Sequence, residues 1–347
     1  MTDLLTAAAK ASPAIDINPL MSIADAVAVN QAVLANGPYG LYAAEASHGP
    51  LESKVGERYD AARNYVATGG YLGVQEPPKS LIRRTGYFRS TLIQGERVVA
   101  PGFEQLNALP ELYAAARQVH GLPEVAPAIL YLNLLVPGQE LAIHIDVPEF
   151  AGAERSITPQ WLLVIMRASG LFEDLRVPIA TGITYFGNAP GGALRHYPDG
   201  PGGPNQRFLP VDNSAMVLDT DSRYHGVERV GSNDSPAPIE IVTGAALEHN
   251  GTEWVMIGPD GSRIRSYRTD EVRISISWKA YCFPNEVARH EFEAARGTLT
   301  IAEIERRLLE DLRDRVLIGT NESPHLPDIV DLLIDTYQTF PDLSSTN

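Results

Sequence analysis

Three residues of this chain have the types and the order needed to hold a metal: His144 and Asp146, two positions apart, and His225 further along. In the stretch 140–147, apolar Leu141, Ile143 and Ile145 alternate with Ala142, His144 and Asp146. A strand there turns the imidazole and the carboxylate to one face, away from the apolar side chains. Side by side they can occupy adjacent positions on one ion, and one further histidine completes a facial triad. His225 stands in Tyr224-His225-Gly226-Val227-Glu228-Arg229-Val230, just after the strand-like run 214–220, where a neighbouring strand can bring it beside His144. Such a triad leaves half of an octahedron open for a bidentate organic acid and dioxygen, whereas a structural site is closed by protein ligands. The plainer readings are a hydrogen-bonded His144–Asp146 pair inside a sandwich and a turn histidine at 225.

Arg273 adds a cation. In 272–279, Val272, Ile274, Ile276 and Trp278 fall on one face and Arg273, Ser275, Ser277 and Lys279 on the other. An arginine pointing into a barrel is an expensive unpaired charge unless something anionic meets it. A carboxylate gripped by the guanidinium, with the Ser275 hydroxyl beside it, removes that cost. The alternative is a rim residue paired with Glu271 or Asp270. A second basic stretch, 79–99, carries Arg83, Arg84, Tyr87 and Arg89 ahead of Leu92-Ile93 and Val98-Val99. It reads as a strand pair whose basic patch is either a solvated face or a clamp for an anionic substrate. His48, His120, His196, His249, His290 and His325 are expected to be solvated or locally hydrogen-bonded.

These residues need strands to hold them. From 128 to 283 short β-rich runs are separated by Gly, Pro and Asn clusters, the texture of a sandwich or barrel rather than of βαβ units. Strands are expected at 129–136, 140–147, 161–167, 214–220, 224–230, 239–243, 254–257 and 272–281, and the Gly- and Pro-dense segment 187–204 reads as loop. That pattern suits a mainly β fold with a double-stranded β-helix core, the jelly-roll or cupin-like form. Residues 1–127 are expected to form a mixed helical and strand extension packed on this core, with helices at 23–35 and 109–119. Residues 284–347 return to helix: Thr300 and Glu303 have capping-box spacing, Ile301, Ile304, Leu308 and Leu312 share a face, and a second helix is expected at 328–340. These last helices either cap the barrel or join two copies into a homodimer.

Composition narrows the partners. With 347 residues and 44% hydrophobic content the chain can bury a large core. Lys and Arg total 28 against 43 Asp and Glu, a net charge of −15 that repels phosphate backbones and anionic membranes, so the expected partner is a small molecule rather than nucleic acid or membrane. The single cysteine, Cys282, excludes an internal disulfide and a multi-cysteine zinc site, and reads as a small packed residue at a strand end. Residues 1–15 show neither a basic leader nor a sustained apolar stretch, and no run reaches the roughly 18 apolar residues of a spanning helix. Cytoplasmic location is therefore expected.

Taken in order, the motifs resemble those of the Fe(II)/2-oxoglutarate-dependent oxygenases, especially the prolyl 4-hydroxylase-like branch. Pro137-Gly138-Gln139 through His144-Ile145-Asp146 looks like that branch's glycine turn and H-x-D strand. Gly191-Gly192-Ala193-Leu194 with Tyr197-Pro198 resembles its GG strand and loop, His225-Gly226-Val227 with Val230 its distal histidine motif, and Arg273-Ile274-Ser275 with Trp278 its last core strand. The resemblance spans 128–283. It implies Fe(II) on His144, Asp146 and His225, with 2-oxoglutarate anchored by Arg273 and Ser275 and decarboxylated with O2 to succinate and CO2. It also implies hydroxylation of a small molecule such as an amino acid or a natural-product intermediate, with desaturation or ring formation open. Asp146 argues against halogenation, which needs a small residue in its place.

Two departures stand out. Arg273 arrives late, after an apparent insertion at about 231–271 with a hairpin turning near Asn250-Gly251, so Arg229, Arg263, Arg265 and Arg268 are rival anchors. Leu135 stands where the branch often has a co-substrate tyrosine, and Tyr131 and Asn133 on the same strand face are substitutes. Candidate substrate contacts are Arg167, Arg195 and Tyr197. Two other readings stay open: an iron oxygenase independent of 2-oxoglutarate, and a non-catalytic jelly-roll binding module.

Overall fold

The computed structural model describes residues 12–42 and 58–343. Successive core strands alternate between two antiparallel sheets. Glu124–Leu135 lies in the large sheet, Leu141–His144 in the small one, Ile179–Phe186 in the large, Leu194–His196 in the small, Ser214–Leu218 in the large, His225–Val227 in the small and Arg273–Phe283 in the large. This to-and-fro winding is the double-stranded β-helix, here in a mixed α/β chain.

The large sheet has eleven strands. Arg273–Phe283 runs through its middle, paired with Glu124–Leu135 on one side and Ile179–Phe186 on the other. The period of two holds along it: Ile274, Ile276, Trp278, Ala280 and Cys282 are buried in the main core, while Arg273, Ser275, Ser277 and Lys279 are buried on the opposite face, toward the small sheet. Burial pushes the Cys282 thiol up to about 12, so it is an inert packing residue.

Helices cover the outer face of the large sheet. Ile23–Ala35 is capped by Ser22, and Pro110–His120 presses Leu112, Ala115, Ala116 and Val119 onto the strands. At Gly182, inside the Ile179–Phe186 strand, a Cβ would stand 2.9 Å from Leu112 Cδ2, so the glycine is the socket for that helix. The insertion before Arg273 forms Ala246–His249, Glu253–Ile257 and Arg263–Arg268, which extend the far edge of the large sheet beyond Tyr39–Tyr42, with the expected hairpin turning at Asn250. Because the added strands pair at an edge, Arg273 keeps a central strand.

The structure corrects three local expectations. Residues 161–167 are not a strand but part of the helix Gln160–Ser169, whose residues from Trp161 to Met166 are all buried. A continuous apolar run fits a buried helix as well as a buried strand, and Pro159 at its start and left-handed Gly170 at its end were the local signals for helix. The segment 187–204 is not all loop, since Leu194–His196 pairs with His225–Val227. Residues 239–243 form turns after Pro236 and Pro238, with Ile241 alone among the apolar side chains there buried in the core. In the C-terminal region Thr300 caps Ile301–Asp314, and Ile304, Leu308 and Leu312 pack with Val330–Tyr337 against the Gln160–Ser169 helix. Their apolar faces are thus taken up within the chain. Among the described residues no helix is long and apolar enough to cross a membrane.

Candidate metal centre

His144 ends its strand as the direct cross-strand partner of His225. Their rings sit 4.4 Å apart, tilted by 48°. Close approach of the two strands depends on Gly226, where a Cβ would meet Leu141 O at 2.7 Å and Ile143 Cδ1 at 2.9 Å. Asp146 lies just past the strand, its N–H donating to Thr220 O at 2.8 Å. Upstream, the turn at left-handed Gly138 is tied by Gln139, whose side chain accepts from Val136 N at 3.0 Å and donates to Gly86 O at 2.6 Å.

The ligand atoms converge. Asp146 Oδ1 is 3.4 Å from His144 Nε2 and 3.8 Å from His225 Nε2, and the three residues offer ligand atoms within 4.8 Å of one another. His144 Nδ1 lies 2.7 Å from Ala142 O and His225 Nδ1 3.0 Å from Arg223 O. A carbonyl oxygen only accepts, so each Nδ1 carries the proton and each Nε2 turns a lone pair to the centre. Burial first, and then the neighbouring His144, push His225 down to about 3, so a proton does not fill the gap at neutral pH. Two imidazole lone pairs and a carboxylate oxygen facing one point call for a cation. The donor set and its open side suit a divalent transition metal such as Fe(II).

Lys279 completes this group from the middle of the large sheet. Its Nζ donates to Asp146 Oδ2 at 2.7 Å, and both side chains are largely buried. Burial works against the Asp146 anion, but the positive charge of Lys279 outweighs it and holds the carboxyl well below its usual range. Burial likewise opposes the ammonium of Lys279, and Asp146 overrides it and raises the group. The lysine thus leaves one oxygen, Oδ1, for a metal, and its positive charge competes with that metal. Lys279→Met is expected to bind a divalent ion about tenfold tighter, while its metal-free form loses stability because the buried carboxylate has lost its partner. Competition against a chromogenic chelator, with thermal unfolding in parallel, reads both effects. Tenfold weaker binding would show instead that the lysine is needed to aim Asp146.

Along the same strand, Arg273 is buried and has no acidic partner among the described residues. Its Nε donates to Gly192 O at 2.8 Å and its Nη1 to Ser275 Oγ at 2.9 Å, its guanidinium stands 5.2 Å over the Tyr185 ring, and its Nη2 is buried with no hydrogen bond. Each rival is already paired: Arg229 with Glu140, Arg263 with Glu253, Arg265 with Glu240 and Arg268 with Asp270. Arg273 alone of the five keeps a free buried donor, which a carboxylate of a ligand can fill.

The glycine pair explains how the arginine is held. Gly191 and Gly192 both have positive φ, and a Cβ at Gly192 would lie 2.5 Å from Arg273 Cδ. Gly192→Ala is expected to cost about 1–3 kcal/mol and to displace the guanidinium. A urea midpoint unchanged from the parent's would contradict that packing.

One cavity joins these parts. It is lined by Tyr131, Asn133, Leu135, His144, Asp146, His225, Arg273 and Ser275, with Tyr87, Ser277 and Thr181 and the apolar side chains Leu141, Ile183, Leu194 and Val227. Tyr131, Asn133 and Ser275 therefore line one cavity with the three candidate ligands. Arg167, Arg195 and Tyr197 do not. Arg167 is on the Gln160–Ser169 helix, bound to Glu173 and Ser222. Leu194 points inward, so its neighbour Arg195 points outward, pairing with Glu228 at 2.7 Å and stacking on Tyr71 at 5.2 Å. Tyr197 is buried on that outer side with Ile143, Ile145 and Val164. His196, register partner of His225, is not one of the three converging ligands; burial, then Arg223, push it down to about 4.

No protein-family model and no curated protein matches this chain. Solved structures are similar at low identity. A 2OG-Fe(II) oxygenase family oxidoreductase from Burkholderia pseudomallei is 12% identical, with a TM-score of 0.31 over 56% of this chain; the chain spans 66% of that protein, just under two thirds. The non-heme alpha ketoglutarate dependent epimerase SnoN from nogalamycin biosynthesis is 9% identical at a TM-score of 0.41, covering 78% of this chain and 79% of its own. A prolyl-4-hydroxylase from Pseudomonas putida is 14% identical at 0.31, covering 74% and 98%. An epimerase and a hydroxylase stand together here, so no branch is singled out.

Proposed function

We propose that this chain is an Fe(II)- and 2-oxoglutarate-dependent oxygenase acting on a small molecule, with hydroxylation as the default outcome. The observation that carries this reading is the cavity itself. It holds three converging ligand atoms with an open side, and on the same wall a buried guanidinium with a donor to spare.

His144, His225 and Asp146 Oδ1 would hold the metal. Iron bound there would supply oxidative decarboxylation of the oxo acid to succinate and CO2 and, with O2, the oxidant for a substrate C–H bond. Arg273 takes the distal carboxylate of 2-oxoglutarate with the Ser275 hydroxyl beside it, which fixes the co-substrate's direction in the cavity. Leu135, Leu141, Ile183, Leu194 and Val227 keep the space between anchor and triad free of water. The two histidines are strand-borne and Asp146 is pinned by Lys279, so the protein contributes orientation and exclusion rather than movement.

An oxygenase independent of 2-oxoglutarate would have no use for the Nη2 donor of Arg273. A non-catalytic module would have no use for the converging lone pairs. Succinate formed from 2-oxoglutarate, requiring both O2 and added Fe(II) and absent in His144→Ala, is the expected result for the purified chain. Succinate formation that survives His144→Ala would defeat the assignment.

A further inference from the structure

The inner face of the large sheet carries, besides Arg273 and Lys279, a cation that the oxygenase reading leaves unused. Arg89, on the strand Tyr87–Gln94, is opposite Gly40 on one side and Asn133 on the other. Its guanidinium lies 4.1 Å from the centre of the Tyr131 ring and 5.0 Å from that of Tyr42, while Tyr42 and Tyr87 stack at 5.3 Å. No carboxylate pairs with it among the described residues. Tyr131, Tyr87 and Asn133 also line the metal cavity, so the aromatic box around Arg89 opens from the same wall. The Asn133 side-chain oxygen is buried without a hydrogen bond. Beside Arg89, a Cβ built on Gly40 would meet nothing within 4 Å. The box is therefore cationic and aromatic, with free room at its edge.

We propose that Arg89 anchors a carboxylate of the primary substrate, whose flat or apolar body lies against Tyr42, Tyr87 and Tyr131 on the way to the metal. This rests on the oxygenase reading only for the word substrate; the anion site stands on its own geometry. Tyr87 meets the Arg89 guanidinium with a side-chain hydrogen bond, but the aromatic faces fill none of its other N–H donors, and a carboxylate can take these in a planar two-point contact. Arg89 is two strands from Ser275, about 10 Å at the usual spacing of β-strands. Two cations at that separation suit two different anions: Arg273 with Ser275 takes the co-substrate, and Arg89 takes the molecule to be oxidised. The substrate class is then a small monocarboxylate, oxidised at a carbon several bonds from its acid group. The chain's net charge of −15 makes such a local cationic pocket the means of admitting an anion at all.

The test uses the full chain with Zn(II) in the metal site and saturating 2-oxoglutarate, so that Arg273 is occupied. Benzoate, 3-phenylpropionate and hexanoate are titrated calorimetrically, each beside its primary amide. At least one acid is expected to bind tenfold or more tightly than its amide, and Arg89→Gln to bring the two together while 2-oxoglutarate binds as before. Arg89→Lys, which keeps the charge and loses the planar fork, is expected to fall between them and covers the case in which Arg89→Gln does not fold. Acids that bind no better than amides, or an acid preference that survives Arg89→Gln, would overturn the anchor. If 2-oxoglutarate fails to bind while the acids still depend on Arg89, the oxygenase reading falls and the anion site stands.

Discussion

Asp146→Ala is expected to lose at least about a hundredfold in divalent-metal affinity and to unfold more easily than the parent even with no metal present. The first effect follows from the geometry: Oδ1 is the one atom common to both imidazole contacts, at 3.4 and 3.8 Å. The second follows from Lys279, which donates to Oδ2 from a buried position and would be left as an unpaired ammonium. Breaking one side of a buried pair typically costs about 3–5 kcal/mol. Asp146→Asn separates the two effects, because the amide weakens metal binding yet still gives Lys279 an oxygen to meet. Chelator competition measures the affinity and urea unfolding the stability. An Asp146→Ala protein with parental metal affinity would place the ion elsewhere.

The second large effect is expected at Arg273 and has the opposite sign in stability. Arg273→Met is expected to weaken 2-oxoglutarate binding by about a hundredfold, equivalent to about 2.8 kcal/mol, while leaving the free protein as stable as before or more so. Among the described residues the guanidinium has no acidic partner, burial pulls its affinity for protons down, and one of its nitrogens has no hydrogen bond. A residue that costs stability in the empty protein and is held in place by Gly192 and Ser275 is stored binding energy for an anion. Titration of the metal-loaded variant with 2-oxoglutarate reads the affinity, and the urea midpoint of the empty variant reads the stability. Unchanged 2-oxoglutarate affinity would remove Arg273 as the anchor and leave the half-buried Arg89 as the next cation to test.

Much of this site was legible because strands make side-chain direction a matter of parity. His144 and Asp146 share parity, as do Arg273, Ser275, Ser277 and Lys279, and so do Tyr131 and Asn133; each set meets at the cavity. The insertion before Arg273 blurred spacing but not parity, and its strands went to a sheet edge. The role of Lys279 was hidden for a different reason. Its face could be read, but its partner depends on how the loop after His144 folds back to the central strand.

Where local sequence failed, tertiary packing had decided. The run from Trp161 to Met166 is enclosed by the C-terminal helices, so it is apolar all round and carries no helical period to read, which leaves Pro159 and Gly170 as its local marks. The strand Ile179–Phe186 went unread because Gly182 interrupts it, and that glycine answers to Leu112 on a distant helix. Arg195 and Tyr197 read as substrate contacts only as long as 187–204 reads as loop. Once Leu194–His196 is a strand, parity turns them away from the cavity.

The central claim, a metal held by His144, Asp146 and His225 beside an anchor for 2-oxoglutarate, is tested most directly without any substrate. Fe(II) and 2-oxoglutarate are added anaerobically to the metal-free protein and the visible charge-transfer absorption of the chelate is followed. The band is expected to appear with one Fe(II) per chain, to be lost in His225→Ala, and in Arg273→Met to need about a hundredfold more 2-oxoglutarate. Absence of the band in the parent protein, or its persistence in His225→Ala, would contradict the account.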